Sequence, residues 1–255
     1  MIDTGMYLPL RMFFSEGQFD EYSPGREDCK GMAHNEYFWC PSGYLLPFQS
    51  TYFVTGEVYA LNLCDDTSTL LEVVATQVTS SSGRPLYTYL GGAVAGLPDG
   101  VYSIRIPEYG YSDPFIVGDT SDMIHLKYRN PIIKSLEDIT SWDAESVYWL
   151  EGLWGECYIN SIIEKPLYPI LEEVREDENL NQHRVFQRWD KRHQIRFFGV
   201  ESMADAMSLL PIMDEVYINS QRVYNTTVNV NWEEDRECLA EIIITFSTKE
   251  IVKTF

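Results

Sequence analysis

The chain is poor in positive charge and in histidine. Against 39 acidic residues stand 19 Lys and Arg and only 4 His, which leaves a formal net charge of −20 over 255 residues. A surface of that sign repels phosphate backbones and anionic lipid, so direct nucleic-acid contact and membrane adsorption are not expected. No stretch approaches the ~18 uninterrupted apolar residues that suggest a helical span. The N-terminal MIDTGMYLPLRMFFSEG has no basic segment leading into a long apolar run, so it does not read as a signal peptide. Cysteine is sparse: Cys29, Cys40, Cys64, Cys157 and Cys238 are an odd, widely spaced set. That excludes a disulfide framework and reads as free thiols in a reducing cytoplasm.

Motifs that carry chemistry are missing as well. There is no G-x-S-x-G elbow. GGAVAGLPDG (Gly91 to Gly100) lacks the Lys-Ser/Thr of a phosphate loop and has no helix after it. Cys29, His34 and Cys40 follow C-x4-H-x5-C, which does not match the spacing of a zinc pair, and no fourth ligand is adjacent. The acid pairs Asp65-Asp66 and Glu233-Glu234 fall in expected turns, where solvated charge is ordinary. No catalytic, cofactor-binding or metal-binding residue is assigned, no cofactor is expected, and the chain is not expected to be an enzyme.

What the chain does have is apolar and aromatic material. Hydrophobic residues make up 45% and aromatic ones 14%, with 17 Tyr, enough to build real cores. The expected fold class is mainly β, of the α+β type: a small Ig-like β-sandwich followed by an antiparallel β-rich domain with at least one packed helix. Three segments are expected. Residues 1–50 are aperiodic and aromatic and read as an extended N-terminal arm, lying on its own body or on a neighbouring subunit. Residues 51–118 carry short strands with frequent turns and read as the Ig-like β-sandwich, to which the arm adds a strand. Residues 119–255 read as the β-rich α+β domain.

Within these segments, Pro98-Asp99-Gly100 is a turn that opens a strand, and Pro114 marks an edge or a strand start. HRVFQRWDKRHQIRFFG is expected to fold as a hairpin about Asp190-Lys191, because apolar alternation runs on both sides of that pair. Its basic residues are expected to meet the acidic run from Glu172 to Glu178. VESMADAMSLLPIM is the best helix, limited by Pro211. VYINSQRVY is a tight hairpin about Asn219-Ser220.

Two stretches bear a resemblance in combination. CPSGYLLPFQ (Cys40 to Gln49) is followed some fifty residues later by LPDGVYSIRIPEYGYSDPFIV (Leu97 to Val117). The pair resembles structural proteins of tailed phages that infect Bacteroidetes. In these a short N-terminal segment leads into an Ig-like module closed by such a hairpin. FQRWDKRHQIRFFG and the ADAMSLL helix before VYINSQRVY look like the divergent domain that follows. The resemblance implies a virion component of the tail, baseplate or neck/collar type, made in the host cytoplasm and located in the virion. Its partners would be other virion proteins and further copies of itself, in a ring whose copy number is a multiple of three or six. The interface residues expected on this basis are Phe38, Trp39, Phe48, Tyr109, Tyr111 and Trp189, since aromatics dominate interface cores. The alternative is a carbohydrate-binding or host-adhesion module acting through exposed Trp and Tyr.

Overall fold

The structure, a computed structural model, describes residues 8, 10–14, 37–50, 57–72, 75–79, 85–89, 91–94, 97–107, 110–130, 154–176, 182–232 and 239–249. The first half of the chain supplies strands β1 Leu10–Phe14, β2 Trp39–Pro41, β3 Tyr44–Leu45, β4 Phe48–Ser50, β5 Val58–Asn62, β6 Ser68–Leu71, β7 Ala75–Thr79, β8 Pro85–Tyr89, β9 Gly92–Ala93, β10 Gly100–Ile106, β11 Gly110–Ser112 and β12 Phe115–Gly118. The second half supplies β13 Ile124–Arg129, β14 Gly155–Ile159, β15 Ile170–Glu176, β16 Gln182–Trp189, β17 His193–Gly199, the helix α1 Glu201–Ser208, β18 Glu215–Ile218, β19 Gln221–Trp232 and β20 Ala240–Ser247. The fold is β-rich α+β, as expected, with α1 the one α-helix among the described residues.

One mixed sheet runs in the order β17-β20-β19-β18-β13-β14-β2-β12-β10-β11-β1-β4-β8-β7, with β5 and β6 paired outward from β10. The boundaries expected near residues 50 and 118 fall inside this sheet. Three strands from residues 1–50, β1, β2 and β4, are members of it. The main core also crosses both boundaries, taking in Leu10, Phe48, Tyr102, Leu126, Met203 and Ile244.

The hairpin from Leu97 to Val117 is split. β10 pairs with β11 at Arg105↔Tyr111 and with β12 at Tyr102↔Phe115, and Asp113-Pro114 lies in the gap. Pro114 has no N–H to give a ladder, which sets the break. Buried Ser103 and Ser112 close the gap with hydroxyls: Ser103 Oγ donates to Ser112 O at 2.7 Å, and Ile104 N donates to Ser112 Oγ at 2.8 Å. A polar pair inside a sheet is tolerable because each group has a partner.

Strict alternation orients β13. Ile124, Leu126 and Tyr128 enter the core, so His125, Lys127 and Arg129 point the other way. The β18–β19 turn is Asn219-Ser220 at φ 49° and 65°, the left-handed pair that suits a two-residue hairpin turn. Helix α1 buries Met203, Ala204, Ala206 and Met207 at helical spacing and gives way to a 3-10 turn, Leu210–Ile212, which contains Pro211.

One expected hairpin is corrected. β16 and β17 do not pair across Asp190-Lys191. β16 pairs with β15, through Ile170↔Trp189 to Glu176↔Gln182, while β17 pairs with β20. Residues 161–169 run antiparallel along the free edge of β17, with bridges Ile163↔Ile195 and Leu167↔Arg192. Leu167 N donates to Arg192 O at 2.7 Å and Asp190 N donates to Pro169 O at 3.1 Å. β16 and β17 are therefore one side of a long ribbon, with residues 161–176 as the other. Alternation marks a strand but not its partner, and that is why the sequence pattern pointed to the wrong pairing.

Gly155 is a packing requirement. A Cβ built there would lie 2.3 Å from Cε2 of the buried Tyr128 ring. Gly155→Ala is expected to cost about 1–3 kcal/mol of overpacking. Thermal unfolding followed by circular dichroism checks this, with Gly92→Ala, where a Cβ meets nothing within 4 Å, as the neutral control.

Candidate functional site

The outward face of β14, β13, β18 and β19 carries most of the chemistry on the described surface. The registers Lys127↔Glu156, Lys127↔Tyr217 and Tyr217↔Arg222 set Glu156, Lys127, Tyr217 and Arg222 in one row across four strands. Tyr158 and His125 form the row on one side, and Arg129 and Glu215 lie on the other. These pairs are the direct cross-strand neighbours of an antiparallel sheet.

Glu156 is the centre of the network, with only 9% of its side chain exposed. His125 Nε2 lies 2.7 Å from Oε1. The Tyr44 hydroxyl, which reaches across from β3, donates to Oε2 at 3.0 Å. Lys127 Nζ stands 3.4 Å from the same oxygen. Burial by itself pushes the Glu156 carboxyl up. The His125 hydrogen bond, the Lys127 charge and the Tyr44 hydrogen bond outweigh it and leave the carboxyl below its ordinary 4.5. Tyr44 moves the opposite way: burial, then the Glu156 charge, push its phenol up, so it keeps the proton it donates. The His125 ring lies flat on Tyr158, 4.4 Å between centroids.

Beside this network is an open cavity of about 310 Å³ lined by His125, Lys127, Trp154, Tyr217 and Ser220. Trp154 lies over the cations: Arg129 Cζ is 4.3 Å and Lys127 Nζ 5.4 Å from its ring centroid. Tyr217 meets the indole edge-on at 5.8 Å. Arg129 is held by Glu215, with Nε donating to Oε2 at 2.8 Å.

The chain matches no protein-family model, no curated protein and no solved structure. A second surface lies along the ribbon, where Ile162, Leu167, Tyr168 and Ile170 are 77%, 46%, 56% and 61% exposed.

The residues expected at an interface are dispersed. Phe38 and Phe48 are 2% and 0% exposed in the main core, so the chain's own body covers them. Tyr111 is buried in a smaller cluster with Leu63, Val101 and Ile116, and Trp39 packs partly exposed against it. Trp189 is the last residue of β16, opposite Ile170. Tyr109 lies outside the described residues, as do Cys29 and His34 of the zinc spacing. Among the described residues no cluster of His, Cys, Asp and Glu is arranged to hold a metal. Cys40 and Cys157 are free and buried, with burial pushing the Cys40 thiol up to about 12. Cys64 is disulfide-bonded, which corrects the expectation of a free thiol there. No described helix is long and apolar enough to cross a membrane. The basic and acidic runs lie on paired strands, but the register sets Arg184 and Arg188 on β16 opposite Val174 and Leu171, and Glu172, Glu173 and Glu176 opposite Gln187, Phe186 and Gln182.

The polar rows are not legible in the sequence because they take three residues from β13, two each from β14 and β18, and one from β19. The one available signal was the alternation in IHLKYR. A carboxyl held low in the folded state contributes stability above its unfolded value, and that contribution is lost as pH falls through the folded value. Stability is therefore expected to decline as the pH drops from about 4.5. Glu156→Gln is expected to flatten that part of the profile in urea unfolding followed across pH. An unchanged acid limb would remove Glu156 as its source.

Proposed function

We propose that the chain is a non-enzymatic structural component of a tailed-phage particle, of the tail, baseplate or neck/collar type, that assembles through contacts with other virion proteins and with copies of itself. The observation that carries this is the ribbon. Residues 161–169 occupy the edge of β17 with their backbone, yet present Ile162, Leu167 and Tyr168 to solvent. β15 and β16 continue the ribbon and, among the described residues, pair only with each other. At ~3.3 Å per residue that distal part is about 25 Å long. Isolated two-stranded hairpins are marginal in water, so such a feature gains stability by lying on another surface.

Exposed apolar side chains beside a two-stranded extension mark a contact surface more than a reaction centre. The −20 net charge fits a chain that stays soluble before assembly and meets a partner of opposite sign. The resemblance of Cys40 to Gln49 and Leu97 to Val117 to phage structural proteins supports the same reading.

The test is the triple substitution Ile162→Asp, Tyr168→Asp, Ile170→Asp. These side chains are exposed, so each change is expected to alter folding stability by about 0.5 kcal/mol or less. Assembly is expected to fail, seen as loss of the oligomer in sedimentation velocity and of the chain from purified particles. A triple variant that assembles like the parent would overturn the reading.

A further inference from the structure

We propose that the cavity beside the Glu156 network binds a carboxylate-bearing pyranose, the acidic sugar unit of a polysaccharide. This goes beyond the assembly reading and stands on different residues.

The first observation is local charge. The rows across β14, β13, β18 and β19 hold Lys127, Arg129 and Arg222 against two carboxylates, Glu156 and Glu215. In a chain with twice as many acids as bases, this face has a cationic excess. An anion repelled from most of the surface meets an attractive field here.

The second is the disposition of Lys127. Its ammonium carries three donors, and Glu156 Oε2 at 3.4 Å occupies one direction. Lys127 also lines the cavity, which lets its ammonium hold a second carboxylate beside the first. Arg129, held by Glu215 through its Nε and stacked on the indole, adds to the positive field.

The third is the aromatic corner. Trp154 and Tyr217 meet edge to face and line the cavity together with His125 and Ser220. Aromatic surface beside converging polar groups suits a ring with an apolar C–H face and a rim of hydroxyls. The volume of about 310 Å³ takes one sugar ring and not an extended chain, and the open mouth lets the neighbouring sugars continue outside. The site is preorganised: Lys127 and His125 are both tethered to Glu156, and the main chain of His125 exchanges hydrogen bonds with Asn219 in the turn that carries Ser220.

The experiment uses the full chain and two probes, trigalacturonate and the neutral trisaccharide maltotriose, followed by the indole N–H resonances in NMR titration and by calorimetry at low salt. Trigalacturonate is expected to shift the Trp154 indole signal and to bind at least about tenfold more tightly than maltotriose, a difference of about 1.4 kcal/mol. Lys127→Met keeps the stem over the indole and removes the charge, so it is expected to erase that preference. Trp154→Ala is expected to abolish binding of both sugars, with circular dichroism confirming the fold. Equal binding of the two probes, no binding of either, or a preference that survives Lys127→Met would overturn the proposal. None of these results bears on the ribbon, whose triple variant should bind trigalacturonate like the parent.

Discussion

Three residues, Trp39, Cys40 and Pro41, hold the two ends of the sheet together. As β2 they run parallel to β12, from Ile116↔Trp39 to Gly118↔Pro41, and antiparallel to β14 at Tyr158↔Trp39. Without them the strands up to β12 and those from β13 onward would form two sheets with two exposed edges, and exposed edges invite wrong partners. Cys40 is fully buried and its thiol donates to Tyr44 O at 2.7 Å, which ties β2 to the turn that follows. That turn, through Gly43 at φ 72°, brings Tyr44 back over the sheet to Glu156. The same insertion that closes the sheet thus completes the polar network.

The network shows how a carboxylate can remain charged against a core. A lone buried carboxylate would be costly. Glu156 avoids this by accepting from His125 and Tyr44 and standing near Lys127, while its strand neighbours Gly155 and Cys157 go inward. On the core side, Tyr128 lies over Gly155 in the space a side chain there would take. The two faces of one strand pair are therefore coupled: packing below fixes the strand positions, and those positions align the charged rows above.

The ribbon meets a different constraint. β17 is the last main-sheet strand on its side, and residues 161–169 bridge to its outer edge, with Glu164 N donating to Gln194 O. Polar contacts pin this strip to the body: Ser161 Oγ donates to Arg196 O, and Arg196 lies between Glu164 and Glu241. With the backbone occupied inward, the apolar side chains of Ile162 and Tyr168 are left to solvent. Edge protection and a sticky exterior arise from the same segment. Lys165-Pro166 within it reduces continued pairing, since proline offers no donor to a further strand.

Much of the fold was legible in the sequence where the cause is local. Alternation in IHLKYR, the Asn219-Ser220 turn, the α1 periodicity ending at Pro211 and the break at Asp113-Pro114 all follow from side-chain period or backbone restriction within a few residues. The recurrence of short alternating segments between turns set the β-rich class, and composition set the acidic net charge. Strand partnership was not legible. Nothing local distinguishes β16 pairing with β17 from β16 pairing with β15, because both choices satisfy the same alternation; only the competition of β20 and residues 161–169 for the two edges of β17 decides it. The fate of the N-terminal aromatics was likewise decided at a distance, by the core that covers Phe38 and Phe48. The candidate site is the clearest case. Tyr44, His125, Lys127, Trp154, Glu156, Tyr217 and Ser220 span most of the chain, and only the registers of four neighbouring strands place them on one face.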